Sequence, residues 1–356
     1  MTRYELIILG GGITGSFAGY IAGKNGLKVA VIEECISPNG ATARSGGVIT
    51  RMLDDLEDSL LALKTINLIN EVTKDIDMFI YKGYLCIEGI DEAEGDLRKF
   101  RRVIPDIKIL YPDEIRDRWS YIKLYEDEVG LYSESDFTID PEAFLAYLWK
   151  KLGDVSVDLK LNCKATRLII ESGVVKGVEV HSGEVLHADN ILVCMGAWTK
   201  AFLKKHKIKV KTFLLSVPIF KFKVDSSELV GLWDEESYSY WRPGDYTLIG
   251  GGYEAYRITT PEEGFLKPRV ESREFIIRLF LYRYSFKKWK IVDSWCGPIS
   301  LSYTYRPIAT RINKVEGLYV IDGLGGYGLV RGPALAKKIV DEISGVSSDE
   351  FNINVD

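Results

Sequence analysis

Three glycines and one carboxylate near the start of the chain carry the first chemical signal. Gly10, Gly12 and Gly15 stand in the spacing G-x-G-x-x-G, and Glu33 follows within the same stretch, YELIILGGGITGSFAGYIAGKNGLKVAVIEE. The first glycine allows a tight turn, the second lets a pyrophosphate approach a backbone that has no Cβ, and the third lets a helix pack closely on the strand before it. Ile13 and Thr14 complete the turn, and the N–H groups of a helix starting there would face the phosphates. Glu33 falls where an acidic residue meets a ribose 2′-OH, with adjacent Glu34 the substitute. These features point to an adenine-dinucleotide site; the alternative is a glycine-rich turn in an unrelated α/β protein.

A second cluster lies far along the chain: Gly323, Gly325, Gly326 and Gly328, with Tyr327 and Leu329 among them. It lets the backbone bend beside something flat and bulky, and the helix that follows offers positive potential to an anion. Other chemistries are poorly supplied. The three His residues are too few for a Ser-His-Asp machine or a His-rich metal site. Cys35, Cys86, Cys163, Cys194 and Cys296 are odd in number, widely spaced and without a C-x-x-C pair. That pattern suits reduced thiols in a cytosolic protein, with no metal expected.

The elements that must position these residues follow from periodicity. Leu6 to Leu9 is a continuous apolar run, as for a strand buried on both faces. A helix with an apolar face of Phe17, Ala18, Ile21 and Ala22 ends at Asn25-Gly26, and Leu27 to Ile32 is the next strand. The small, polar run ATARSGGVITR (41–51) can lie flat against a ligand. Asp54 to Asn70 reads as a helix, Met78 to Glu88 as a hairpin around Lys82-Gly83, and 91–103 and Tyr111 to Trp119 as helices. Asp140-Pro141 opens a helix as N-cap and first-turn proline. From Val155 the pattern turns to strands, with Gly173 and Gly183 at turns and Ile191 to Cys194 a buried strand. Phe213 to Ile249 is strand-rich, a charged helix covers roughly Lys267 to Tyr284, and Gly317 to Ser344 reads as strand, glycine turn and helix, with Pro333 in the first turn.

The chain has 356 residues, 46% apolar and 27% charged, enough for two domains with a sizeable core. A formal net charge of -5 argues against nucleic acid as a partner. No apolar run is long enough for a transmembrane helix, and the early first strand leaves no room for a signal peptide, so the expected location is cytoplasmic. The basic run Lys200 to Lys211 is either a solvated face or a dock for an acidic electron-transfer partner.

The chain resembles the FAD-dependent amino-acid and amine oxidoreductases of the D-amino-acid oxidase type, which include glycine oxidase, sarcosine oxidase and the FAD-dependent L-proline and D-amino-acid dehydrogenases. The resemblance spans nearly the whole chain: GGGITG, ATARSGGVI, FTIDPEAF, ADNILVCMGAWT, the Trp295-Cys296-Gly297 element with Pro307 downstream, and GLGGYGLVRGPALAKKI. It implies an α/β (α+β) two-domain fold: a Rossmann-like FAD-binding domain with an interrupted chain (1–80, 141–204 and 296–356) and a mixed-sheet substrate domain (81–140 and 205–295). FAD is the implied cofactor. Arg44, Ser45, Gly46 and Gly47 resemble the loop touching pyrophosphate and flavin, Gly196 and Trp198 the turn near the adenosine, and Gly325 to Leu329 the turn at the flavin pyrimidine edge. Cys296 stands one residue before the place where sarcosine oxidase links its flavin, which favours non-covalent FAD.

The implied reaction moves a hydride from the carbon beside the nitrogen of an amino acid or secondary amine to flavin N5. Positioning carries most of such a reaction, so anchors matter more than bases. Arg51, just after the flavin loop, corresponds to a carboxylate-binding arginine. Tyr240, Arg242, Tyr303, Tyr305, Arg306 and Arg331 are further candidates. Departures from the pattern are Ile299, where glycine oxidase has an arginine, and Thr304, where an acid is usual. Leu248 or Ile249 stands where sarcosine oxidases place a lysine over the flavin, which favours a dehydrogenase, with an electron-acceptor protein or quinone as partner. The alternatives are a 2-hydroxy-acid or glycerol-phosphate dehydrogenase, or an accessory flavoprotein subunit of an electron-transfer complex.

Overall fold

Leu6 and Ile8 turn to one side of their strand and Ile7 and Leu9 to the other, and all four are fully buried. This follows from their place in the middle of a sheet. In the computed structural model, which describes residues 3–74 and 80–346, that strand, β1 (Arg3–Leu9), belongs to an eight-stranded sheet. The order is β17 (Ile308–Arg311), β18 (Leu318–Asp322), β10 (Val185–Val193), β1, β2 (Val29–Ile32) and β7 (Asp158–Lys160). β18, β10, β1, β2 and β7 run parallel and β17 closes one edge antiparallel. β8 (Ala165–Glu171) and β9 (Val174–Val180) extend antiparallel from β10.

Four helices share the core on the Leu6–Ile8 side: α1 (Ile13–Lys24), α3 (Leu56–Thr73), α6 (Pro141–Asp154) and α9 (Gly328–Ser344), through Phe17, Leu61, Phe144 and Leu335 among others. The other side packs on β8, β9 and α7 (Thr199–Lys204) through Leu168, Val178 and Phe202. At the end of α7 and beyond it, Lys204, Lys205, Lys207, Lys209 and Lys211 of the basic run are exposed. Among the described residues, no helix is long and apolar enough to cross a membrane.

A second, ten-stranded mixed sheet has the order β15 (Tyr256–Ile258), β11 (Thr212–Val224), β14 (Thr247–Gly252), β13 (Ser239–Gly244), β12 (Gly231–Asp234), β4 (Ile80–Gly89), β6 (Glu128–Ile139) and β3 (Val48–Ile49). β16 (Trp289–Ser302) pairs with β11 and β5 (Lys108–Leu110) with β6. Helix α8 (Val270–Arg283) covers it through Ile276 and Phe280, which meet Phe222 and Trp241. Helices α4 (Ile90–Phe100) and α5 (Pro112–Arg118) lie at the β4–β6 side, and the short α2 (Gly40–Ala43) leads into the loop before β3. Arg283 is fully buried and joins three elements: it donates to both oxygens of Glu128 on β6 at 2.8 Å and to Asp234 on β12 at 2.8 and 2.9 Å.

Two local expectations are corrected. Lys82-Gly83 is not a hairpin turn; from Ile80 onward the segment is one strand paired with β6, with a register shift between Lys82 and Tyr84, and Met78 lies outside the described residues. Gly83 has φ +87°, and a Cβ there would stand 2.6 Å from the Tyr132 hydroxyl, so its freedom serves a bulge beneath that ring. Pro333 is not in the first turn of its helix either, because α9 already starts at Gly328. The Thr65 hydroxyl of α3 enters beside it, accepting from Ala334 N–H at 3.2 Å and donating to Val330 C=O at 2.8 Å. Those are the two groups that a regular helix would join to each other.

Candidate functional site

The parallel strands of the first sheet end at one long cavity of about 1190 Å³. At the β1 end, Gly10 has φ +104° and passes so near β10 that a Cβ would lie 2.6 Å from Cys194 C=O. A Cβ on Gly15 would lie 1.9 Å from Gly10 C=O, so the helix can sit this close only with glycine there. Gly12 is the N-cap of α1. The turn is held from behind: Trp149 Nε1 at 2.7 Å and Ser16 Oγ at 2.8 Å both donate to Gly11 C=O, while Thr42 Oγ1 accepts from Ile13 N–H at 3.1 Å. Glu33, at the end of β2, accepts from Gly11 N–H at 2.7 Å and from Cys35 N–H at 2.9 Å. Glu34 lies more to the surface and pairs with Lys164 at 2.7 Å. Gly10, Gly12, Ile13, Thr14, Glu33 and Glu34 line the cavity, and Gly15 lies behind the wall.

The loop after α2 forms the next stretch of wall with Arg44, Ser45, Gly46 and Gly47. Arg44 donates to Cys296 C=O at 3.1 Å and lies over the Phe265 ring at 4.7 Å, while Trp295 Nε1 donates to Arg44 C=O at 3.0 Å. Among the described lining residues, it is the arginine without a carboxylate partner. A Cβ on Gly46 would stand 2.2 Å from the Tyr240 ring, and one on Gly47 2.7 Å from Arg242 Cδ. Arg242 Nε donates to Gly46 C=O at 3.1 Å. Strand β13 therefore braces this loop, with Tyr240 on the cavity wall and Arg242 behind it. Gly196 and Trp198 line the cavity farther along, where Trp198 Nε1 donates to Glu262 at 3.2 Å.

At the other end, Gly325, Gly326, Tyr327, Gly328 and Leu329 form the wall, and Gly323, behind them, has φ +70°. Arg331 closes this turn: it donates to Asp58 through Nε at 2.7 Å and through Nη2, to Leu324 C=O at 3.1 Å, and covers the Tyr327 ring at 4.5 Å. Arg306 is paired with Asp55 at 2.6 Å and Glu57 at 3.1 Å. Met52, Asp54, Tyr84, Trp233, Glu235, Tyr238 and Tyr253 complete this region. The rings of Trp233 and Tyr238 meet edge-on at 6.4 Å, and those of Tyr238 and Tyr253 at 5.9 Å. Asp54 and Glu235 have no ion-pair partner among the described residues. Burial, then the charges of Asp54, Asp96 and Asp234, push the Glu235 carboxyl up, against a hydrogen bond with Trp233.

Two candidates are placed elsewhere. Arg51 is buried outside the cavity, its guanidinium committed to Asp136 at 2.6 Å, to Val103 C=O at 2.9 Å and to Ser135, so no fork is left for a carboxylate. Tyr303 is exposed, its ring tilted against that of Phe213 at 5.1 Å, and accepts from Arg257 at 3.3 Å; Tyr305 and Arg306 line the cavity instead. Leu248 and Ile249 are buried behind the wall rather than in it. Sequence reasoning missed Trp149, Asp58, Asp322, Trp233 and Glu235. Of these only Asp322 carried a local signal, its place at a strand end just before a glycine turn.

The cradle at Gly10, Gly12 and Gly15, with Glu33 at one end and a broad second turn at the other, fits a bound FAD. Comparison with known proteins agrees. The family model described as "DAO: FAD dependent oxidoreductase" matches residues 5–342. The chain is 24% identical over 369 aligned residues to the mitochondrial dimethylglycine dehydrogenase of Homo sapiens, covering 96% of this chain and 42% of that protein. It is 22% identical to sarcosine oxidase subunit beta of Arthrobacter sp, covering 98% and 89%. The chain thus spans about two fifths of the length of the human and rat dimethylglycine dehydrogenases it matches. The solved L-proline dehydrogenase from P.horikoshii superposes with a TM-score of 0.88 at 18% identity, over 98% of this chain and 95% of that one, which shows the same fold.

Proposed function

Because the chain belongs to the DAO family of FAD-dependent oxidoreductases, we propose that it oxidises an amino acid or secondary amine at the carbon beside the nitrogen. Bound FAD supplies the hydride acceptor at flavin N5, and the imine product hydrolyses in water. The observation that carries this reading is the continuity of the cavity, from Glu33 past both glycine turns to the aromatic wall of Trp233, Tyr238 and Tyr253. The N-terminus of α1 and Arg44 hold the pyrophosphate, Glu33 the adenosine ribose, and the turn 325–329 the flavin end. Tyr240 and Arg242 set the flavin loop from the second sheet. FAD is held non-covalently, since Cys296 lies behind the wall and Gly297 forms it.

The wall beyond the second turn favours the amine branch of this reading. Arg306 and Arg331 are already neutralised by acids and Arg51 faces away, whereas Asp54 and Glu235 have no ion-pair partner among the described residues and line the cavity with the aromatic rings. Such a wall suits a substrate that arrives as an ammonium cation. Glu235, its affinity for a proton raised by burial, accepts that proton and leaves the amine neutral for hydride loss. The dye-linked activity of the isolated chain over a panel of amines, amino acids and 2-hydroxy acids tests this. Turnover of hydroxy acids alone would overturn it, and no turnover by FAD-loaded protein would favour an accessory subunit. That second reading draws on the likeness to a sarcosine oxidase subunit.

The acceptor in this proposal is a quinone, a dye or an electron-transfer protein rather than oxygen, because no lysine occurs between Lys223 and Lys267, and Leu248 and Ile249, buried behind the wall, bring no cation to the cavity. Reoxidation of substrate-reduced protein by air as fast as turnover would show an oxidase. The proposed division is an FAD-binding domain of 1–80, 141–204 and 296–356 and a substrate domain of 81–140 and 205–295. The eight-stranded sheet, formed from residues 3–32, 158–193 and 308–322, supports the first part.

A further inference from the structure

From Asn190 to Val224 the chain carries lysines but not one Asp or Glu, in a molecule of net charge -5. Lys204, Lys205, Lys207, Lys209 and Lys211 are exposed, and none of them has a carboxylate partner among the described residues. Phe202, Leu203 and Val210 of the same stretch are packed into the core beneath them, so the face itself is polar. Like charges gathered in one stretch repel one another, and an acidic surface that meets them relieves the repulsion.

The run is tied to the flavin end of the cavity. The chain leaves the cavity wall at Trp198 and returns to it at Phe213. Lys211 C=O accepts from Tyr303 N–H at 3.2 Å, and Lys200 Nζ donates to Thr212 C=O. A Cβ on Gly323 would stand 3.3 Å from Thr212 Cγ2, and one on Gly325 2.8 Å from Leu301 Cδ1, the side chain opposite Phe213 in the β11–β16 pairing. Lys211 thus adjoins a residue that touches the second glycine turn. Tyr303, and Tyr305 on the cavity wall, are 55% and 65% exposed. Arg257 lies over the Phe213 ring at 4.8 Å and has no carboxylate partner among the described residues. Exposed aromatic rings beside cations are the composition of a protein interface.

We propose that the lysine face of 204–211, with Tyr303 and Tyr305, is the docking surface for a soluble, acidic one-electron carrier protein that reoxidises the bound flavin. This rests on the FAD and acceptor reading above. Each amine oxidised leaves a hydride, two electrons and one proton, on FAD. Two oxidised carriers in turn take one electron each, and the proton passes to water. Opposite charges speed the encounter and set its orientation, so the carrier arrives against the wall at the flavin end. A membrane surface is the poorer fit, because Phe202, Leu203 and Val210 are held in the core rather than offered for insertion.

The test uses the full FAD-loaded chain and two carriers with the same haem: cytochrome c, which is basic, and its succinylated form, which is acidic. Calorimetry gives the affinity for each, and stopped flow gives the rate at which the chain, photoreduced without substrate, reduces each. The acidic form should bind more tightly and be reduced about 10-fold or more faster at low ionic strength, an advantage that fades as salt rises. Lys209→Glu with Lys211→Glu should abolish that preference in both measurements, while turnover with an uncharged quinone stays at the wild-type level. Lys209→Gln with Lys211→Gln, which adds no negative charge, should weaken the preference in part. Lys287→Glu with Lys288→Glu, exposed at the opposite end of β11, should leave it intact. Equal binding and reduction of the two forms, or an equal loss in both pairs of Glu variants, would overturn the proposal. So would binding of phosphatidylglycerol vesicles through Lys209 and Lys211 without a preference for the acidic carrier. Failure to bind FAD, seen before any carrier is added, would instead overturn the reading beneath it.

Discussion

Glu33 bridges two backbone N–H groups across the first turn, Gly11 at 2.7 Å and Cys35 at 2.9 Å, so its carboxylate is already oriented toward the cavity. Glu33→Ala should weaken FAD binding by about 1–3 kcal/mol, the loss of a charge-assisted hydrogen bond. Glu34→Ala, whose partner is the surface residue Lys164, should leave the affinity unchanged; flavin titration of both variants checks this. Glu88 yields a pH effect. It is buried, its Oε1 lacks a partner among the described residues, and burial, then the charges of Asp96, Glu235 and Glu92, raise it from 4.5 to about 8 against the pull of Lys99. The folded state thus holds this proton more tightly than the unfolded chain. The stability it contributes is complete below pH 4.5 and is lost as pH rises through 8. Urea titrations at intermediate pH values should show Glu88→Gln gaining on the wild type as pH rises. The glycines and Glu33 were legible in the sequence because a turn is a local object. The direction of Arg51 was not, since it is decided by Asp136, a residue far along the chain.

At the scale of elements, the Thr65 hydroxyl mends the helix beside Pro333. Thr65→Val keeps the shape but leaves the Ala334 N–H and Val330 C=O without that partner, at a cost of about 1–3 kcal/mol. Thermal denaturation measures it, and an unchanged midpoint would show that the two groups close on each other unaided. Elements with their own punctuation could be read early. Helix α6 starts where Asp140 accepts from Glu142 and Ala143 N–H, both at 3.1 Å, and α1 stops at Asn25 with Gly26 at φ +82°. Elements defined by partners could not. β3 has two residues and exists through its pairing with β6, and Gly83 looks like a turn until the Tyr132 ring beneath it is known.

At the scale of the whole molecule, Arg283 is the buried tie of the second sheet. Asp234→Asn leaves its charge half-compensated, and breaking such a buried pair costs about 3–5 kcal/mol. A denaturant midpoint that does not move would refute that account. The two-sheet architecture was legible because glycine turns and apolar runs recur in order. The aromatic wall was not, because Trp233, Tyr238 and Tyr253 come to line one cavity with Tyr327 only after the chain has folded back on itself. The placement of β18 governs the timing of assembly. It lies between β17 and β10 inside the first sheet, and it carries Asp322 into the turn that α9 follows. During synthesis, the nucleotide turn at Gly10 emerges long before Leu318, so its cavity lacks a far wall until β18 and α9 have followed. Cofactor capture is thereby deferred until α9 has emerged, and a nascent chain stalled before Leu318 would offer chaperones an open sheet edge that flavin cannot close.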